Sequence, residues 1–144
     1  MSAKDDVGAI HETWRKRKAA CTKAGAPGSL FGSDDLGDTL DKMQALIWIV
    51  EKGSKQAQDE KGKKALEKMA SDAAAAAQKV AKVAEKYKEA AQKALEKAGT
   101  PALRDALRDA IKTLTVLEKY KTLKADTLKT PDGAPVKAII GPKG

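Results

Sequence analysis

Histidine and cysteine each occur once, as His11 and Cys21, and both fall in the first apolar-periodic stretch of the chain. A thiolate–imidazole pair works as a nucleophile only in hydrogen-bond contact. Ten residues along one helix put about 15 Å of rise between them, so a helix here excludes that chemistry. His11-Glu12 is not followed by a second histidine four residues on, and the zinc-peptidase spacing fails.

The stretch Gly32-Ser33-Asp34-Asp35-Leu36-Gly37-Asp38-Thr39 has the glycine spacing of a phosphate-cradling loop leading into a helix. Asp38 stands where that loop needs its lysine, and Asp34 and Asp35 would repel phosphate. A calcium loop fails as well, because Leu36 and Thr39 occupy positions that need an oxygen ligand and a glycine. The stretch therefore reads as a loop followed by a capped helix. Asp105 with Asp109, and Glu85 with Glu89, are carboxylate pairs one helical turn apart. Without a water-poor pocket to separate their protonation states they are surface charges rather than an acid and a base. These residues predict a protein that is not an enzyme and carries no catalytic, cofactor or metal site.

Two groups suit binding rather than catalysis. Trp14 is followed by Arg15, Lys16, Arg17 and Lys18, an aromatic beside a basic run that could stack on a base while the cations meet phosphate. Trp14 also lies on a stripe with Val7, Ile10 and Cys21, which predicts burial and leaves the cations as a solvated face. Farther on, Lys79, Lys82, Lys86, Lys93 and Lys97 form a second basic row, interrupted by glutamates.

The elements that position these groups are helices. Asp5 to Ala24 is the first, ended by Gly25-Ala26-Pro27-Gly28-Ser29. The second spans about 34–52, with Leu36, Leu40, Met43, Ile47 and Val50 at alternating steps of four and three. Leu46, Trp48 and Ile49 add apolar surface on its other faces, so this segment is expected to be the most deeply buried. The third, about 63–98, carries Leu66, Met69, Ala73, Ala76, Val80, Val83, Tyr87, Ala90 and Ala94 on a heptad stripe typical of coiled-coil packing. Gly99-Thr100-Pro101 then supplies a helix stop, an N-cap and a first-turn proline. The fourth helix follows to about residue 124, with Leu103, Leu107, Ala110, Leu114 and Leu117 on one face. Pro131-Asp132-Gly133 and Val136-Lys137-Ala138-Ile139-Ile140 predict a small β-hairpin or a tail over 126–144. The fold class is all-α: one helical domain over 1–125, a bundle of about four helices with a long alanine-rich hairpin.

Composition agrees. Ala, Lys, Glu and Leu dominate a chain of 144 residues, 33% of which are charged, and these are the strongest helix formers. The net charge of +8 is spread as +3 over 1–25, −3 over 26–53, +4 over 54–99, +3 over 100–125 and +1 over 126–144. The single acidic segment is also the most apolar. A basic balance suits acidic partners. No apolar run reaches the length of a membrane span or a signal-peptide core, so a cytoplasmic location is the expectation, with export lacking a cleavable signal as the alternative.

The expected function is a non-enzymatic interaction or assembly protein of adaptor, effector or inhibitor type. Its partner is another chain or a second copy. The expected contact surface is the seam Ala73, Ala76, Val80, Val83, Tyr87, Ala90 and Ala94, because the fourth helix is too short to cover the third and leaves room for the second helix or another chain. On that reading, glutamate at Ala76 and Ala90 breaks assembly. Architectural nucleic-acid binding through the Trp14–Lys18 patch is the first alternative. Coating of a lipid or apolar surface by an opened bundle is the second.

Overall fold

The computed structural model describes residues 3–31, 35–54 and 59–125. Among them the chain forms four helices: α1 (Ala3–Lys23), α2 (Asp35–Ser54), α3 (Glu60–Lys97) and α4 (Pro101–Glu118), with a single 3₁₀ turn at Lys119–Thr122. The expected hairpin or tail over 126–144 lies outside the described residues.

Each punctuation mark is built by a specific contact. Gly25 has φ +108°, a conformation that a side chain would strain. It closes α1 with paired bonds from the Gly25 N–H to the Thr22 carbonyl (3.1 Å) and from the Ala26 N–H to the Cys21 carbonyl (2.9 Å). Asp59 caps α3 by accepting from the Gly62 N–H at 2.7 Å, so α3 begins three residues before the position expected from its apolar stripe. Gly62 continues the helix rather than breaking it. Thr100 accepts from the Leu103 N–H at 3.2 Å, and Pro101 opens α4. α4 is shorter than expected, because the chain tightens into the 3₁₀ turn after Glu118.

The helices form an up-and-down bundle in which α1 packs between α2 and α4, and α3 packs between the same two on the opposite side. The backbones of α1 and α3, and of α2 and α4, face each other across the diagonals without approaching. Neighbours run antiparallel. Gly8 and His11 of α1 meet Gln44 and Asp41 of α2 in reverse order, and Arg17 and Cys21 of α1 meet Asp109 and Ala106 of α4 likewise. At 1.5 Å per residue, α3 is about 57 Å long, whereas α2 and α4 reach about 30 Å and about 27 Å. The second helix is thus the element that covers the part of α3 left by α4.

Burial follows the apolar stripes. Leu36, Leu40, Met43, Ile47 and Val50 of α2, and Leu107, Leu114 and Leu117 of α4, are at most 1% exposed. Each such side chain contributes about 1.5–3 kcal/mol against remaining in water. The diagonal space between α1 and α3 is filled by rings. Trp14 meets Phe31 edge-on at 5.0 Å and stacks on Tyr87 at 6.2 Å, while Phe31 and Tyr87 lie 5.6 Å apart. Tyr120 and Leu123, both fully buried, close the core below α4. Gln78 of α3 donates to the carbonyls of Lys121 (2.6 Å) and Leu123 (3.5 Å) and pins this turn.

Candidate interaction surface

The bundle consumes most of the expected contact seam. Ala73, Ala76, Val80 and Tyr87 are buried against the chain's own helices, and Val83, Ala90 and Ala94 are half-buried. The centre of the seam is also displaced. The residues of α3 at 0% exposure are Ala70, Ala73, Ala77, Val80, Ala84 and Ala91, so Ala77, Ala84 and Ala91 replace Ala76, Val83 and Ala90 as the innermost positions. Both sets step by three and four, and runs of consecutive alanines fit either equally well. Packing by α2 on one flank and α4 on the other selects the smaller set, whose methyl groups let the helices approach. A glutamate at Ala76 would consequently disturb the α2–α3 interface within the bundle.

The Trp14 cluster divides. Trp14 is 1% exposed in the aromatic core, so it cannot stack on a base. Arg15 and Lys16 point outward, Arg15 pairing with Glu12 at 3.6 Å, while Arg17 reaches Asp109 of α4 at 3.9 Å and Lys18 is half-buried. The stripe assignment of Trp14 prevails because Val7, Ile10 and Cys21 enclose the same face. Lys79, Lys82, Lys86, Lys93 and Lys97 are all exposed on α3.

The two singular residues serve the interior. His11 is 5% exposed, with Nδ1 3.2 Å from the Asp41 carboxylate, a link between α1 and α2. The buried Cys21 thiol donates to the Ala106 carbonyl at 3.4 Å. Burial first, and then the nearby Asp109 carboxylate, push its pKa up, which suppresses the thiolate. Tyr120 shows the same pattern: burial, then Asp6, raise its phenol far above the usual range. Its hydroxyl and one Asp6 oxygen are buried without a hydrogen-bond partner among the described residues. Glu85 and Glu89 line an open polar groove of about 500 Å³ between α3 and the end of α4, beside the Lys88–Glu118 pair at 3.4 Å. Among the described residues no cluster of His, Cys, Asp and Glu has the grouping to hold a metal ion, and no helix is long and apolar enough to cross a membrane.

The large apolar side chains left exposed among the described residues lie on α2. Trp48 is 42% exposed and Ile49 37%, the large hydrophobic side chains left at the surface of the described residues. Exposed Ala45 sits one turn before them, and the Lys52 ammonium lies 5.1 Å above the Trp48 ring. Beside this face, α2 and α3 frame a groove of about 380 Å³, floored by Leu46, Ala75 and Ala76 and edged by Lys42, Asp72 and Lys79. Sequence periodicity placed apolar residues on several faces of α2 but did not rank them as a surface. The available signal was that Trp48 and Ile49 lie off the stripe containing Ile47 and Val50.

Among the described residues the fold is an antiparallel four-helix bundle that exposes Trp48 and Ile49 on the otherwise polar outer face of α2. Comparison with known proteins adds no relative: no family model matches the chain, no curated protein is similar to it, and no solved structure matches it.

Proposed function

We propose that the protein is a non-enzymatic interaction or assembly protein, and that it binds another protein chain through the outer face of α2. The exposure of Trp48 and Ile49 carries this reading. Tryptophan and isoleucine on a polar bundle cost solubility, and a large aromatic ringed by polar side chains is the usual anchor of a protein contact. The alanine-rich helix enters indirectly: its seam binds α2 and presents the opposite face of α2 outward.

A photo-crosslinking residue at position 49 is expected to form covalent adducts with a protein chain in cell extract, with a second copy counted among the targets. The same residue at position 86, on the lysine row, is the control. Equal adduct formation from both positions, or none from position 49, overturns the proposal.

The exposed row of Lys79, Lys82, Lys86, Lys93 and Lys97 supports a second reading, sequence-independent nucleic-acid binding. With Trp14 buried, this mode rests on phosphate contacts alone. Its affinity should fall steeply with salt and decrease further when Lys82 and Lys86 are replaced by glutamine. Binding indifferent to salt removes it.

A further inference from the structure

We infer that the partner of the α2 face is a second copy of the chain, joined by antiparallel pairing of α2 with itself about Ala45. This rests on the proposal that α2 is the binding surface and adds the identity of the occupant. The exposed arc of α2 comprises Asp38, Asp41, Lys42, Ala45, Trp48, Ile49 and Lys52. At 100° per residue these seven fall within about a third of the helix circumference, with Ala45 at its centre. A small residue at the centre permits close approach of two helix backbones.

Charge along the arc is partly segregated: Asp38, Asp41 and Lys42 lie before Ala45, which makes that half net acidic, and Lys52 lies after it, which makes the other half basic. In a two-fold contact every residue meets the surface that contains its own counterpart, so the arc must complement its own reversal. Reversal about Ala45 brings Lys52 to the level of Asp38 of the second copy, and the same pair recurs at the other end. Ile49 comes to the level of Asp41 and lies on the flank of Lys42 one residue on, whose methylene stem can cover it while the ammonium stays in water. Trp48 comes to the level of Lys42, on the flank that carries Asp41. Parallel pairing would instead set Asp38 beside Asp38 and Lys52 beside Lys52. Asp41 already faces His11 within its own chain at 3.2 Å, so the Asp38–Lys52 pair is the element that selects the register.

The paired stretch from residue 38 to residue 52 spans about 21 Å of helix, a contact at the small end of stable interfaces, so a concentration-dependent dimer in exchange with monomer is expected. Sedimentation equilibrium of the full chain, from low-micromolar to submillimolar concentration, measures it. Ile49→Glu and Lys52→Asp should each leave a monomer with unchanged helical circular dichroism. Asp38→Lys combined with Lys52→Asp reverses both ends of the contact and should restore the dimer. A monomer throughout, a dimer indifferent to Lys52→Asp, or a loss that the double reversal does not repair overturns the pairing. A monomer whose position-49 adducts contain a different protein would overturn self-pairing while leaving α2 as the binding face.

Discussion

Trp14 and Trp48 sit in settings that invert their sequence neighbourhoods. Trp14 is followed by four consecutive cations, yet it lies at 1% exposure between α1 and α3. Trp48 lies in the longest apolar run of the chain, yet it is 42% exposed. Helical phase decides both cases. Trp14 is four residues from Ile10 and seven from Cys21, on the stripe facing the core, whereas Trp48 is one residue past Ile47 and turned about 100° away. An apolar residue on the inner stripe stabilises the bundle. The same residue on the outer arc of α2, here Trp48, keeps 42% of its surface in water and contributes less to folding.

The sharpest way to break this contrast is to truncate each ring. Trp14→Ala removes a side chain in contact with Phe31 and Tyr87, and should destabilise the bundle by about 3–5 kcal/mol in denaturant unfolding. A loss below about 1 kcal/mol would mean that the ring is not in the core.

Next in size is the response to alkali, which probes the core beneath α1. Folding raises the pKa of Tyr120, through burial and then Asp6, and that of Cys21, through burial and then Asp109. For groups raised in this way, stability is complete below the pKa of the unfolded chain and is lost as pH rises above it. Unfolding free energy should therefore decline above about pH 9, first through Cys21, and from about pH 10 Tyr120 should add about 1.4 kcal/mol per pH unit. Tyr120→Phe should flatten the tyrosine part of the decline. At neutral pH it should be close to neutral, since the hydroxyl it removes has no hydrogen-bond partner among the described residues. A decline unchanged in the phenylalanine variant would contradict the burial of this phenol.

The contact between the two regions is smaller. Asp41→Ala removes the carboxylate facing buried His11, and because the Asp41 side chain is 59% exposed the loss should be no more than about 1 kcal/mol. Trp48→Ala removes a ring that is 42% exposed and lies under the Lys52 ammonium, and should cost less than half of what Trp14→Ala costs. Fluorescence separates the two rings directly. Iodide should quench the Trp14→Phe variant, which retains Trp48, far more than the Trp48→Phe variant, and equal quenching would erase the distinction.

Much of the bundle is legible in the sequence. Gly25, Thr100 with Pro101, and the leucines of α4 each mark a boundary or a face by local chemistry that packing does not alter. The long helix was legible as a helix but not in its rotation. Ala76 and Ala77, or Ala90 and Ala91, are chemically identical neighbours, and a stripe drawn through one can be drawn through the other. The same degeneracy made the seam resemble a free surface, because its length exceeds that of α4 and the sequence does not state which helix covers the remainder. His11 and Asp41 are thirty positions apart and gave no sign of their contact.

The sequence by itself determined the class of the protein. A composition rich in Ala, Lys, Glu and Leu, with apolar steps of three and four and stops at Gly25 and Gly99, specifies amphipathic helices that turn back on one another, since propensity, capping and periodicity are local. The tertiary structure decided which of several apolar faces is enclosed where the sequence offered more than one. Burial depends on the neighbours each face meets, and those neighbours come from distant segments: Tyr87 and Phe31 over Trp14, α2 over the alanine seam. Trp48 and Ile49 are surface residues because no described helix crosses the outer side of α2.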